Sequence, residues 1–150
     1  MDADIRIVPV TGEIRTEAES LSVAPGQEDF IEPVTECMAE ADEVPDWEPV
    51  AIYADGKMAG FAMYGYMRHE KKPRVWFDRL LIDRHYQHRG YGKRAAEMIL
   101  QRIKDEFPGR DIYISAYEEN VTAIEMYESM GFHMNGELDI NGEKIMVLRA

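Results

Sequence analysis

The sequence contains a single cysteine, Cys37, among its 150 residues. One cysteine excludes an internal disulfide framework and is typical of a protein in a reducing compartment. No apolar run approaches the roughly 20 residues that a membrane-spanning helix needs. The first residues also lack the basic and then apolar segments of a secretory signal. We therefore expect a cytoplasmic protein that has no membrane partner.

Basic residues are scarce relative to acidic ones. Lysine and arginine number 17 and aspartate and glutamate number 29, which gives a formal net charge of −12. A general nucleic-acid-binding protein needs a basic face, so this balance argues against nucleic acid as a partner. The charge permits a cationic small substrate, although an ordinary well-solvated surface is the more common explanation. We predict no metal site.

The rest of the composition is that of a globular protein. Hydrophobic residues make up 45% of the chain and charged residues 31%, so the chain is not of the disordered class. Internal repeats and low-complexity segments are absent from the sequence. The length fits one domain over residues 1–150 with a substantial core.

Hydrophobic periodicity and turn signals predict the element order β-α-α-β-β-β-α-β-α-β-β. The predicted strands cover 4–10, 50–53, 57–67, 75–82, 111–116, 132–138 and 143–148. The predicted helices cover 11–23 (weakly), 27–43, the segment that ends near residue 107, and 121–130. Asp55-Gly56 and Asn141-Gly142 predict hairpin turns, the second of type I′. We expect an α/β (α+β) fold with a mixed sheet of about six to seven strands and four flanking helices.

The most informative stretch covers residues 75–94. An apolar strand is followed by residues 87–92 (Gln-His-Arg-Gly-Tyr-Gly) and then by a helix. A glycine-containing turn before a helix directs backbone N–H groups outward, and the helix dipole favours negative charge there. Gly90 and Gly92 would let the backbone curl and approach a phosphate. Residues 79–94 also hold five basic residues, two histidines and one acid, so we expect a polyanion at this turn.

Two common phosphate motifs do not fit the turn. The dinucleotide fingerprint requires a third glycine at the position of Ala95. The nucleoside triphosphate loop requires Ser or Thr after its lysine, whereas Lys93 is followed by Arg94. That loop would also begin with a glycine at the position of Gln87.

A third motif does fit. Residues 87–92 match Gln/Arg-x-x-Gly-x-Gly/Ala, which resembles the acetyl-CoA pyrophosphate loop of the GNAT N-acetyltransferases. Residues 120–132 match Asn-x-x-Ala-x-x-x-Tyr-x-x-x-Gly-Phe, which resembles the second motif of that family. The predicted order of elements is also the one that the family uses. On these features the chain is identified as a member of the GNAT family, over essentially its whole length.

The resemblance implies that the cofactor is acetyl-CoA and that transfer is direct, in a ternary complex without an acetyl-enzyme. It places the CoA pyrophosphate at Gln87, His88, Arg89, Gly90, Tyr91, Gly92 and Lys93. It places the pantetheine arm along the backbone of Leu80, Leu81 and Ile82, with an N–H near Leu81 stabilising the developing oxyanion. For the side chains of Arg89 and Lys93, simple solvation is an equally common role.

The resemblance also indicates catalytic residues. Tyr127 is the candidate general acid, because a phenol near the sulfur would let the thiolate leave protonated; packing of the last helix is its alternative role. Asp78 is the candidate base, and its alternatives are an ion pair with a nearby arginine or a contact with a second substrate ammonium. Asn120 is predicted to contact the cofactor, although an N-cap would also explain it. Cys37 is expected to be a packed thiol rather than a nucleophile.

A closer resemblance suggests the acetyl acceptor. Residues 60–65, 76–79 and 135–147 are similar to bacterial spermine/spermidine acetyltransferases, which implies a polyamine substrate. A linear polyamine suits a groove in which carboxylates alternate with aromatic faces. The candidates for that groove are Glu32, Glu36, Glu40, Asp42, Glu43, Asp46, Glu48, Trp47 and Tyr64.

Two other functions stay open. The acceptor could be a peptide N-terminus, a protein lysine or an antibiotic amine, most of which are also cationic. A non-catalytic acyl-CoA-binding module would bind CoA and turn over no amine, although Tyr127 and the intact glycine turn argue against it. Family habit and the apolar strand at 57–67 are compatible with a homodimer.

Overall fold

The computed structural model describes residues 3–23, 25 and 33–150. Its elements are β1 (Ile5–Pro9), α1 (Arg15–Glu19), α2 (Val34–Glu43), β2 (Trp47–Ala54), β3 (Lys57–Tyr66), β4 (Val75–Ile82), α3 (Tyr91–Glu106), β5 (Ile112–Ala116), α4 (Val121–Ser129), β6 (His133–Leu138) and β7 (Lys144–Leu148). This is the order that periodicity predicts, and the predicted α/β (α+β) class is confirmed. Within the described ranges, no helix is both long enough and apolar enough to span a bilayer.

All seven strands form one mixed sheet in the order β1-β2-β3-β4-β5-β7-β6. Neighbouring strands are antiparallel except β4 and β5, which run parallel. The pairing of β4 with β5 is limited to Val75 with Ile112 and Trp76 with Tyr113, although β4 continues to Ile82. The two strands therefore separate toward their carboxyl ends, where open α/β sheets place their ligands.

Apolar clusters cover both faces of the sheet. On one face Ile99 of α3 packs in the same cluster as Phe77 of β4. On the other face α1 and α2 cover Phe61, and Cys37 is buried there, in agreement with the prediction of a packed thiol. β3 is buried on both faces, which explains why its sequence is continuously apolar rather than alternating. Burial within one chain thus accounts for this strand, and the homodimer stays a prediction.

Two predicted helices are shorter in the structure. The segment predicted as helix 11–23 is helical only over Arg15–Glu19, and at its end the Ser20 hydroxyl donates to the Glu17 carbonyl at 2.6 Å. Such side-chain bonds to the backbone compete with helix continuation. The segment predicted as helix 27–43 is helical over Val34–Glu43, and residues 27–32 lie outside the described ranges.

The segment just before residue 50, which the predicted strand 50–53 leaves out, is the first part of β2. Pro49 has no N–H to donate, but its carbonyl accepts from Val10 N at 3.0 Å, so the strand keeps a bond to the neighbouring segment. Trp47 pairs with Gly65 of β3. A Cβ on Gly65 would clash with the Asp46 carbonyl, so glycine allows the close approach at this end of the sheet.

The predicted type I′ turn at Asn141-Gly142 is wrong. That turn requires positive φ at both central residues, whereas only Gly142 has one, at 82°. Gly142 N donates to the Asp139 carbonyl at 3.0 Å, and Asp139 N donates to the Glu143 carbonyl at 2.9 Å. The loop is therefore the three-residue kind, a type I turn closed by a glycine in the left-handed region.

Candidate active site

A cleft with a volume of about 680 Å³ opens where β4 and β5 separate. Its walls are the second half of β4, the turn into α3, the end of β5 and the first turns of α4. The predicted site residues that line it are Asp78, Leu80, Ile82, Gln87, His88, Gly90, Tyr91, Gly92, Asn120 and Tyr127. The predicted residues outside the lining are Leu81, Arg89 and Lys93.

The turn between β4 and α3 has the backbone of an anion site. Gly90 is the N-cap of α3 at φ 78°, a conformation that is strained for residues with a side chain. A Cβ there would meet no described atom within 4 Å, so the conformation and not the space requires glycine. The first turn of α3 contains no acidic residue, and its leading N–H groups have no intrahelical acceptors. The start of α3 therefore offers N–H groups to an anion.

Gly92 and His88 differ from the expectation for this turn. Gly92 lies within α3, where a Cβ would contact Ile82 Cγ1 at 3.5 Å, an ordinary van der Waals distance. The predicted need for a glycine backbone thus applies to Gly90 alone. His88 has a positive φ of 64°, which is uncommon for a residue with a side chain.

Asp83 holds the turn in place through hydrogen bonds. Its carboxylate accepts from Ser22 N at 2.9 Å, from His85 N at 3.0 Å and from His85 Nδ1 at 2.7 Å. Burial alone would raise the pKa of Asp83, but these hydrogen bonds outweigh it and hold the pKa below its usual value. Arg84 N also donates to the Ser22 carbonyl at 2.7 Å, so the turn is tied to the segment that follows α1.

The basic residues near the turn have mostly other partners. Arg94 donates to the Ala3 carbonyl at 2.6 Å, and Arg89 lies over the Tyr86 ring with 5.7 Å between the guanidinium carbon and the centroid. Lys93 is exposed outside the cleft lining. Gln87 Nε2 donates to the Ile82 carbonyl at 2.9 Å, so this side chain holds the end of β4. Backbone groups, more than side-chain charges, are therefore what the turn presents.

The backbone of β4 faces the cleft at alternate residues. A Cβ on Gly60 of β3 would clash with the Leu81 carbonyl, so Leu81 directs its backbone groups toward β3, and its side chain is buried in the cluster beneath α1 and α2. Leu80 and Ile82 line the cleft. Because successive residues alternate, the backbone N–H groups of Leu80 and Ile82, and not that of Leu81, point to the opening.

A β-bulge brings Asp78 and Arg79 to the same cleft. Phe77 pairs with Tyr64 and Arg79 pairs with Met63. Because Met63 and Tyr64 are consecutive, Asp78 is an extra residue in β4 that has no partner of its own in β3. Arg79 Nη1 lies 2.8 Å from Asp78 Oδ2, and both side chains are mostly buried. The arginine pair named as the alternative role of Asp78 is therefore present.

Tyr127 enters the cleft from α4. Its ring packs edge-to-face on Phe132 with 6.0 Å between centroids, and the residue is 6% exposed. Burial raises the pKa of Tyr127, which keeps the phenol protonated across the physiological range. Asn120 occupies the N-cap position of α4 but makes no capping hydrogen bond there. Its ψ of 65° is not the extended N-cap geometry, so the capping explanation of Asn120 is wrong.

Most of the predicted substrate groove does not line the cleft. Only Glu36 does so, and Glu32 lies outside the described ranges. Asp42 instead pairs with Arg15 at 2.7 Å. Tyr64 is fully buried, its hydroxyl donates to Glu106 at 2.8 Å, and it offers no surface to a cation. The other candidates outside the cleft lining are Glu40, Glu43, Asp46, Trp47 and Glu48.

Glu48 forms a carboxyl pair with Glu106, and both residues lie outside the cleft lining. Burial and a hydrogen bond with Glu106 raise the pKa of Glu48 to about 7. Arg102 lies 3.6 Å from Glu106 and donates to the Tyr64 hydroxyl at 3.1 Å, so this group ties α3 to the sheet.

The structure adds cleft residues that sequence reasoning missed. They are Ser115, Tyr117 and Glu119 at and after the end of β5, and Glu143 from the β6–β7 turn. Glu143 lies in the stretch 135–147 that resembles the polyamine acetyltransferases, which was a signal in the sequence. Nothing in its spacing relates it to β4, because the sheet order alone brings the two together.

Comparison with known proteins agrees with this geometry. The family described as "Acetyltransferase (GNAT) family" matches residues 13–132. A probable spermine N(1)-acetyltransferase of Bacillus subtilis subsp. natto is 41% identical over 95% of this chain and 97% of its own length. A spermine/spermidine N(1)-acetyltransferase of Bacillus subtilis strain 168 is 40% identical over the same shares.

Solved structures share the fold. The PaiA N-acetyltransferase of Thermoplasma acidophilum, solved in complex with coenzyme A, superposes with a TM-score of 0.67 at 16% identity. The match covers 98% of this chain and 99% of that one. At this identity the likeness shows the fold alone, whereas the family match and the curated relatives extend to the sequence. The chain belongs to the GNAT family of acetyltransferases.

Proposed function

We propose that this acetyltransferase transfers the acetyl group of acetyl-CoA to a primary amine of a polyamine such as spermine or spermidine. One observation carries the proposal: the two relatives at 40–41% identity over 95% of the chain are spermine or spermine/spermidine acetyltransferases. The cleft supports it, because several acidic side chains line it and attract a polycation when they are ionised. These groups belong to Glu36, Asp78, Glu119 and Glu143.

The cleft also has the features that acetyl-CoA requires. Backbone N–H groups of the turn and of the start of α3 would hold the pyrophosphate, with Gly90 in the conformation that exposes them. The outward backbone groups of Leu80 and Ile82 would hold the pantetheine arm, and one of their N–H groups would stabilise the oxyanion. Asn120 lines the same wall. When bound, acetyl-CoA supplies the acetyl group as an activated thioester.

Two residues would move protons. Asp78 would accept the proton that the substrate ammonium must lose before its nitrogen attacks, directly or through a water molecule. Its pairing with Arg79 fixes the carboxylate in the cleft. Tyr127 would donate its phenolic proton to the sulfur as the carbon–sulfur bond breaks, and would regain a proton from solvent. The raised pKa of Tyr127 keeps that proton available.

A substrate panel tests the proposal. Acetyl-CoA turnover is measured with spermine, spermidine, an aminoglycoside and a basic peptide. We expect the highest kcat/KM with a polyamine, by at least about tenfold or about 1.4 kcal/mol, because the relatives at 40–41% identity bear the names of spermine and spermidine acetyltransferases. Lack of activity with both polyamines would contradict the proposal. Turnover only with the aminoglycoside or peptide would indicate another acceptor, and CoA binding without any turnover would indicate a binding module.

A further inference from the structure

The β6–β7 turn presents a carboxyl group to the cleft in a fixed position. Asp139 Oδ1 accepts from Asn141 N and from Glu143 N, both at 2.8 Å. With the backbone bond from Asp139 N to the Glu143 carbonyl, these contacts hold Asp139 and Glu143 together across the turn. Glu143 is half-buried and lines the cleft. No other residue of the turn does so.

The carboxyl groups of Glu143 and Asp139 are hydrogen-bonded to each other, which requires a proton on one of them. Burial and the hydrogen bond with Asp139 together raise the pKa of Glu143 to about 8. Burial alone would raise the pKa of Asp139, but the hydrogen bonds from Glu143, Asn141 and Ser115 together outweigh burial and lower that pKa. Glu143 therefore carries the proton at neutral pH.

The surroundings of Glu143 leave room for a cation. From β4, the charge of Arg79 lowers the pKa of Glu143 and the charge of Asp78 raises it, and these two residues pair with each other. The other titratable groups of the lining are Glu36, Tyr86, His88, Tyr91, Tyr117, Glu119 and Tyr127. Among the described lining residues, the paired Arg79 is thus the only lysine or arginine that an ammonium beside Glu143 would meet.

We propose that Glu143, oriented by Asp139, is the specificity-determining residue that binds the second ammonium of the acceptor while its first nitrogen is acetylated. The inference rests on the proposed polyamine function. On binding, Glu143 releases its proton to solvent, and the ammonium replaces that proton between the two carboxylates. An ammonium has three N–H donors, so it can bond both Glu143 and Asp139 at once.

The substitution Glu143→Gln tests the inference, because glutamine keeps the shape and can still donate to Asp139 but cannot ionise. KM and kcat are measured for spermidine and for a linear monoamine between pH 6.5 and 9. Both acceptors share the reacting amine, so the ratio of the monoamine KM to the spermidine KM measures how much the second ammonium contributes to binding. In the wild type we expect this ratio to rise with pH as Glu143 ionises, since the terminal ammonium groups of spermidine, like that of lysine, stay mostly charged up to about pH 9.

In Glu143→Gln we expect a ratio that no longer changes with pH and a spermidine KM raised about tenfold at pH 9, with the monoamine KM unchanged. Asp139→Asn should move the rise of the ratio to lower pH, because the carboxylate that raises the pKa of Glu143 is removed. Glu118→Gln, which removes an exposed carboxyl that lies outside the cleft lining, is the matched control and should keep the wild-type pH profile.

Two results would overturn the inference. If the wild type acetylates spermidine and Glu143→Gln keeps both its spermidine KM and the pH dependence of the ratio, Glu143 does not bind the second ammonium. If the wild type acetylates the monoamine but neither polyamine, the proposed function fails and the inference falls with it. Comparison of the wild-type substrates therefore separates the two failures.

Discussion

The two ends of the cleft are built differently. The end that we propose for acetyl-CoA, called the cofactor end, is local in sequence, because β4, the turn and the start of α3 follow one another along residues 75–94. It presents backbone N–H groups, and most nearby basic side chains have other partners. The end that we propose for the amine, called the acceptor end, is assembled from four separate segments, which contribute Glu36, Asp78, Glu119 and Glu143. It presents side-chain carboxyl groups instead.

The difference assigns each end a ligand of opposite charge and a distinct sensitivity to mutation. N–H groups and the dipole of α3 select an anion, so the cofactor end depends on backbone conformation. Carboxyl groups select a cation, so the acceptor end depends on which side chains are present and ionised. Tyr127 and Asp78 both line this cleft, and the proposed proton transfers take place where its two ends meet.

The largest effect is expected where the two ends meet. Tyr127→Phe removes only the proposed acidic proton, because the ring keeps its packing on Phe132. We expect kcat to fall by about 10²-fold or more, the usual contribution of a general acid, with little change in either KM. Steady-state kinetics with acetyl-CoA and spermidine measure this.

Tyr64→Phe is the control for Tyr127→Phe. It removes another buried phenol, one that bonds Glu106 and lies outside the cleft lining. It should lower the melting temperature and leave kcat within about threefold of the wild type. If Tyr127→Phe kept a wild-type kcat, a packing role for the tyrosine would be the better account.

The acceptor end is probed next by Asp78→Asn. Without the base, the reaction depends on the fraction of amine that is already neutral, which falls about tenfold for each pH unit below roughly 10.4. We expect a loss of about tenfold to 10²-fold in kcat/KM at pH 7 that shrinks as the pH rises. A rate–pH profile for each protein measures it. A loss of equal size at every pH would instead assign Asp78 to substrate positioning.

Asp46→Asn is a suitable control for that experiment. Asp46 also faces an arginine, with 3.8 Å between its Oδ1 and Arg68 Nε, but it lies outside the cleft lining. Its pH profile should match that of the wild type.

The same contrast explains what the sequence could predict. Gly90 and Tyr127 belong to short motifs, and the order of elements follows from periodicity and turns, so the fold and the cofactor end were accessible. The backbone groups of Leu81 point toward β3 because of how β4 is aligned with Gly60 and its neighbours. No local sequence pattern predicts that alignment. Glu143 reaches the cleft because β7 lies between β5 and β6, a feature of sheet order rather than of spacing.

The predicted acidic groove failed for a related reason. The helical repeat of carboxylates in α2 identifies a face of that helix but not its neighbours. Only Glu36 lies where the cleft opens, while Asp42 is taken up by Arg15 of α1. An acidic face of a helix is most often directed to solvent, so its carboxylates alone are weak evidence for a binding groove.

The smallest effect is expected from Gly90→Ala at the cofactor end. Gly109 provides a matched control, because its φ of 76° is nearly that of Gly90 and an added Cβ would likewise meet no described atom within 4 Å, yet it lies after α3 and away from the cleft. Each alanine should cost about 1–2 kcal/mol of folding stability through the strained left-handed conformation. Thermal unfolding should therefore give similar losses for the two variants, a few degrees each.

Only Gly90→Ala should also raise the KM for acetyl-CoA, by several-fold, because relief of the strain turns the N–H groups of the turn away from the anion. The spermidine KM should not change in either variant. Equal acetyl-CoA KM values in the two variants would show that the cofactor end does not depend on the conformation of Gly90, and the contrast between a backbone end and a side-chain end would be lost.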